Sequence, residues 1–258
     1  MKRFFILALV LTLAVTLFAG CSGGKSDYDV LKEKGKVIVG ITDYAPMDYK
    51  DENGEWTGFD AELAGLVFKE LGLEVEFVEI DWDRKVMELN AGSIDCVWNG
   101  MTLTPEVTSA MDCSKPYVLN SQVVVMSAEK AAQYTDAASL AELTVAIEAG
   151  SAADGVAADN GLTKLTKLQT QAKALMEVAA GTSDACIIDK TMAQAMTGEG
   201  TSYPDLTIAV TLTDEEYGIG FRKGSDVLAK VDEIIAKLRK DGTLQALADT
   251  YKLQLTEG

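Results

Sequence analysis

Between Ile94 and Val107 the chain reads IDCVWNGMTLTPEV, an apolar run that gives way to Asn99, Gly100 and Thr102 and then to Thr104-Pro105-Glu106. The first half has strand composition. In the second, Thr104 is a helix cap, Pro105 suits the first helical position and Glu106 places an acid in the first turn. A strand, an exposed polar turn and a helix, in that order, are where α/β proteins put ligands. Positive charge is scarce beside it, since the next fourteen residues hold a single one, Lys115.

Other chemistry is narrowed by what the 258 residues lack. There is no histidine, which removes the commonest general base, the commonest metal ligand and every Ser-His-Asp or Cys-His arrangement. Carboxylates, Lys and Tyr remain, so an enzyme stays possible while hydrolase and zinc chemistry recede. Beyond Cys21 the cysteines are Cys96, Cys113 and Cys186. Cys96 and Cys186 stand in apolar strand-like runs, where a buried, unreactive thiol is the default. Cys96 with Cys113 is the one pair to consider for a disulfide, and no spacing suggests a metal site.

The elements that must position the polar turn alternate between strand and helix. Val37–Ile41 is a short buried-strand signal, followed by a helix over 60–71 with Asp60 as its cap and Leu63, Leu66, Val67 and Leu71 on one face. Residues 74–80 alternate as a strand, and a short helix after Asp83 ends near Gly92. Strand-like 122–126 precedes a capping box, Ser139 with Glu142. Then come a strand at 143–147, a helix after Gly150-Ser151, a strand near 164–168, a helix at 170–180 and a strand at 185–188. The last strands are 206–210 and 217–221, before an amphipathic helix carrying Val227, Leu228, Val231, Ile234, Ile235 and Leu238 on its buried side. This alternation means α/β. Two segments echo each other, AGSIDC at 91–96 and AGTSDAC at 180–186, and two lobes with facing strand ends would leave a cleft between them.

Composition and the N-terminus bear on location and partners. The chain is 48% hydrophobic and 24% charged, a globular balance, with a formal net charge of −17 that repels nucleic acid and anionic lipid. Lys2-Arg3 leads into residues 4–19, uncharged and apolar, then Gly20-Cys21-Ser22-Gly23-Gly24. That is the form of an export signal, too short for the roughly 20 apolar residues of a spanning helix. Ala19-Gly20-Cys21 resembles a bacterial lipobox, with Phe18 where Leu is usual. It implies a signal peptide over 1–20, lipidated Cys21 and a tether over 21–33.

The chain from about Lys34 to Leu253 resembles the extracellular solute-binding proteins of polar amino acid ABC transporters. The segments that carry the likeness are residues 40–64, 91–106, 111–117, 145–151, 184–189 and 217–225, in the family's order and spacing. The resemblance implies a type II periplasmic-binding fold: lobe 1 from 34–120 plus 217–258, lobe 2 from 121–216. Two crossing strands near Asn120–Gln122 and Asp214–Tyr217 would hinge them around the ligand cleft. Tyr44 and Trp82 match the aromatic pair that sandwiches a side chain, with Trp98 a third aromatic for a cationic ligand. Gly100 and Thr102 match groups offering a carbonyl and a hydroxyl, Ser151 and Ala152 match amides for a carboxylate, and Asp189 matches the acid that pairs with an α-ammonium. Asp189 could equally cap the following helix.

Family members carry an arginine where this chain has Val107, and Glu148 adds an acid where many relatives are neutral. Three solutions are open. Arg84, or secondarily Lys85, supplies the cation; or Thr102 and the 151–153 amides hold the carboxylate alone; or the ligand is a cationic amine without one. The expectation is a monomeric, lipid-anchored extracellular protein, without cofactor or metal. It would bind a polar neutral or basic amino acid and deliver it to an ABC permease. A dehydratase-like enzyme and a sensor domain are the alternatives from other classes.

Overall fold

A computed structural model describes residues 25–257; the proposed signal segment and Cys21 lie outside the described residues. The strands are β1 (Lys36–Ile41), β2 (Tyr49–Lys50), β3 (Trp56–Thr57), β4 (Glu74–Glu79), β5 (Cys96–Thr102), β6 (Asp112–Cys113), β7 (Val118–Ser127), β8 (Val145–Glu148), β9 (Leu165–Leu168), β10 (Ala185–Asp189) and β11 (Leu206–Phe221). Among the described residues, nine join one mixed sheet in the order β4-β1-β5-β11-β7-β10-β8-β9, with β6 also paired to β11, while β2 and β3 form a separate hairpin.

The sheet has two parallel wings. In one, β1 lies between β4 and β5; in the other, β8 lies between β9 and β10. Parallel pairing requires crossover helices, and the apolar faces of those helices cover the wings. Between the wings run β7 and β11, long antiparallel strands paired from Val118↔Tyr217 to Ser127↔Leu206. The segments 206–210 and 217–221 are therefore one strand of 16 residues. The polar stretch between them, Thr211–Glu216, does not end it, because β7 pairs with its backbone along most of that length. This is a two-lobed α/β molecule whose halves are joined through crossing strands.

Local signals explain the main elements. Helix Val227–Lys240 buries Val227, Val231, Ile234, Ile235 and Leu238 on one stripe and places Lys237, Arg239 and Lys240 in its last turn, where the macrodipole favours cations. Gly92 and Gly181 end their helices in the left-handed region, as glycine does most readily.

Several expectations are corrected. Asp60 does not cap its helix: Gly58 holds that place, and Asp60 is fully buried inside the first turn. Leu66 is exposed, while Phe59, Ala64 and Phe68 share the buried face with Leu63 and Val67. Ser139 and Glu142 form no capping box; Asp136 accepts from the Ser139 amide at 2.9 Å at a short 3-10 turn over Ala138–Leu140. Cys96 and Cys113 are both free. They flank β11 on opposite sides, pairing with Phe221 and Gly220. Two strand spacings, roughly 9–10 Å, exceed what a disulfide spans.

Candidate ligand-binding site

A cleft of about 380 Å³ opens between the wings. Four of its lining residues, Thr42, Thr102, Glu148 and Asp189, stand at or just past the C-terminal ends of β1, β5, β8 and β10. Parallel strands end there with backbone groups turned outward and crossovers diverging, which leaves a crevice.

The lobe 1 side is built from β5. Its last residues pass through Gly100, at φ 53°, to Thr102 and then to Thr104, whose hydroxyl accepts from the Val107 amide at 3.2 Å to cap helix Pro105–Ala110. Gly100 is required by packing, since a Cβ there would lie 2.5 Å from Cε1 of Tyr44. The Gly100 amide donates to Asp60 at 2.6 Å, and the Tyr117 hydroxyl donates to the same carboxylate at 2.8 Å. Burial lifts the Asp60 pKa to about 7 despite those donors. Asp48 is its buried neighbour; neither of its carboxylate oxygens finds a partner among the described residues, and burial pushes its pKa well up. This acid pair beneath the cleft floor had no signal in the sequence beyond two aspartates near a glycine.

The lobe 2 side is built from β8 and β10. Asp189 is buried, accepting from Asn120 at 2.8 Å and from the side-chain amides of Gln122 and Gln171. Its side chain makes no capping bond to the helix that follows, so the capping reading gives way to this amide cage. Burial and nearby Glu215 raise its pKa well above the ordinary carboxylate range. Glu148 is equally buried, and its Oε1 has no partner among the described residues. Burial, with the Asp189 charge adding to it, lifts Glu148 to about 8. Ser151 caps helix Ala152–Asp159, accepting from the Ala153 amide at 3.3 Å and donating to the Glu148 carbonyl at 2.9 Å.

The two sides touch. Tyr44, from lobe 1, bonds through its hydroxyl to Thr191 at 2.5 Å and to Tyr217. Gly150, at φ 72°, lies so near Asp83 that a Cβ would sit 2.6 Å from that Cα. Lys85 donates to the Gly150 carbonyl at 2.7 Å. The cleft is therefore described in a closed arrangement.

Of the residues singled out from sequence, Tyr44, Trp82, Gly100, Thr102, Glu148, Ser151, Ala152 and Asp189 all line this cleft. Thr102 donates its hydroxyl to Glu215 at 2.8 Å, tying it to the hinge strand. Two expected residues do not line it. Arg84 is exposed and lies 3.7 Å from Asp81 on the outside of a 3-10 turn, Trp82–Arg84. Trp98 is fully buried in lobe 1, edge-on to Phe68 and Tyr117 at 6.0 and 6.4 Å, because its side of β5 faces the helices. Asp43, next to Tyr44 in the chain, borders a different hollow with Glu79. Sequence reading missed Gln122 and Gln171, whose amides hold Asp189; glutamines carry no pattern that would have marked them.

A family model for bacterial extracellular solute-binding proteins, family 3, matches residues 37–254. The L-cystine-binding protein TcyJ of Escherichia coli (strain K12) is 29% identical over 255 residues, covering 95% of this chain and 94% of that protein. A solved structure of an ArgBP variant from T. maritima matches with a TM-score of 0.81 at 29% identity, over 87% of this chain and 98% of its own. An ancestral amino acid-binding protein, described as a precursor of cyclohexadienyl dehydratase, matches with a TM-score of 0.80 at 32% identity, over 88% and 99%. These neighbours share the type II periplasmic-binding architecture.

Proposed function

The chain belongs to family 3 of the bacterial extracellular solute-binding proteins, and from that premise we propose that it captures a free amino acid for an ABC importer by closing its cleft. The observation that carries this reading is convergence. Asp189, the Gly100–Thr102 backbone and the Ser151–Ala152 helix start come from three separate elements and border one closed space. An α-ammonium fits Asp189 and the Gly100 carbonyl, both of which favour a cation. An α-carboxylate fits the amides at the helix N-terminus, where the dipole favours an anion, and takes the Thr102 hydroxyl proton only by drawing it from Glu215. Tyr44, Trp82 and Glu148 then surround the ligand's side chain. Three lining carboxylates, Asp83, Glu106 and Asp154, oppose the one lining cation among the described residues, and Glu148 and Asp189 add their charge when a cationic ligand draws off their protons. That field disfavours acidic amino acids and suits polar neutral or basic ones.

The cycle involves no covalent step. Lobe 1, residues 34–120 with 217–258, and lobe 2, residues 121–216, rotate about β7 and β11, and the closed form docks on the permease. A signal peptide over 1–20, a lipid on Cys21 and a tether over 21–33 keep the monomer at the outer face of the membrane. The acid-rich lining also favours a second reading, a cationic amine with no carboxylate.

Thermal melting of a chain starting after Cys21, against the twenty amino acids and a set of amines, separates the two. A ligand at 100 times its Kd adds about 2.7 kcal/mol to apparent stability, a shift of several degrees. A shift with an α-amino acid and none with its decarboxylated amine supports the first reading. Shifts with amines alone replace it with the second.

A further inference from the structure

Among the described residues Lys85 is the one lysine or arginine that borders the cleft. It stands one residue past Arg84, at the start of helix Lys85–Ala91, and the turn of the chain that leaves Arg84 exposed buries Lys85. Its ammonium donates to the Gly150 carbonyl at 2.7 Å on the opposite lobe and to the Trp82 carbonyl at 3.2 Å. The same nitrogen lies 4.7 Å from the centre of the Trp82 ring. Burial draws its pKa down, while Glu148, Glu106, Asp83 and Asp154 hold it up.

A lysine ammonium has three donors, and two are engaged by carbonyls. The carbonyl across the cleft belongs to Gly150, directly before the Ser151–Ala152 helix start. Positive charge and the helix-start amide of Ala152 are thereby gathered at one edge of the cleft, while Val107, also in the lining, has no side-chain donor. We propose that Lys85, with the amide of Ala152, receives the α-carboxylate of the ligand; the Ser151 amide is already donated to the Glu148 carbonyl at 3.3 Å. The assignment rests on the amino acid reading of the cleft. It also has a consequence for specificity: the ammonium covers one face of the Trp82 ring, so a ligand's side chain stacks only on the other.

The test is calorimetric titration of the wild type, Lys85→Met and Lys85→Arg with L-arginine, L-lysine, L-histidine and L-glutamine and with the α-amide of each. The amides keep the ammonium and the side chain and lose the carboxylate charge. Lys85→Met should weaken the amino acids that bind by about 50-fold and their amides by less than threefold, with Lys85→Arg recovering most of the loss. Equal losses for acids and amides make Lys85 a clasp between the lobes and overturn the assignment; an unchanged Kd does the same. Lys85→Gln, melted alongside, replaces Lys85→Met if that variant does not fold. If the wild type binds none of the four, the same titrations are run with whichever of the twenty amino acids shifts the melting temperature; a shift from none of the twenty refutes the amino acid reading itself, and this proposal with it.

Discussion

The two edges of the cleft are written in the same local grammar and do different work. Each is a strand, a glycine in the left-handed region, a hydroxyl cap and a helix: β5, Gly100 and Thr104 on one side, β8, Gly150 and Ser151 on the other. Gly100 is hemmed in by its own side of the molecule, with Tyr44, Tyr217 and Met47 in the space a Cβ would take. Gly150 is hemmed in by the opposite lobe, by the backbone of Asp83. One glycine lets a lobe pack, and the other lets two lobes meet. The polar groups divide likewise, since Thr102 is already tied to the hinge strand while Glu148 keeps an oxygen without a partner among the described residues. Similar local chemistry thus takes its role from what lies opposite it.

The strongest way to break the comparison is to remove the charge that both edges face. Asp189→Asn keeps the size of the side chain and should raise the Kd for the amino acid ligand at least 100-fold by titration, because a desolvated partner of an ammonium loses its charge. An unchanged Kd would take Asp189 out of the site. Next is Gly150→Ala against Gly161→Ala. Both glycines have φ near 70°, but a Cβ at Gly161 meets nothing within 4 Å. Each substitution should cost about 1 kcal/mol of stability through the left-handed backbone, and only Gly150→Ala should also weaken ligand by tenfold or more. Equal affinities for the two variants would deny that Gly150 governs closure.

The buried acids sharpen the contrast through pH. Glu148 titrates near 8 and Asp60 near 7 in the folded chain, above their ordinary values of 4.5 and 3.8. The native state therefore binds more protons than the unfolded state between those limits. The contribution of these two acids to stability is fully present below their ordinary values and is lost as pH rises through about 7 and 8. The melting temperature should drop by several degrees from pH 5 to pH 8, and Glu148→Gln should flatten part of that slope; an identical slope would place the effect elsewhere. The smallest effect concerns the β5 edge alone. Thr104→Ala removes a cap bond, which costs about 1 kcal/mol and lowers the melting temperature by roughly 2–4 °C, leaving ligand affinity within twofold.

Much of this was legible in the chain. Thr104-Pro105-Glu106 announces its helix, and most strands and helices fall where periodicity puts them. Eight of the ten expected ligand residues line one cleft. The misses share a cause. Every residue of β5 but Thr102 is buried, so no alternation reveals which side Trp98 faces. Arg84 and Lys85 are adjacent cations in a turn that passes from 3-10 to α-helix, and the phase of that passage is not encoded in residue type. Asp60 reads as a cap because aspartate usually caps, and its burial depends on Gly100 and Tyr117, 40 and 57 residues away.

By itself, then, the sequence determined the elements, their order and the polar strand ends, because propensity, capping and apolar periodicity act over a few residues. It also excluded histidine chemistry outright and carried the family likeness. Tertiary structure alone decided which cation borders the cleft, which aromatic is core, which glycine joins the lobes and which carboxylates hold their protons. Those outcomes turn on burial and on partners far apart in the chain, and a side chain's solvation is set by what packs against it.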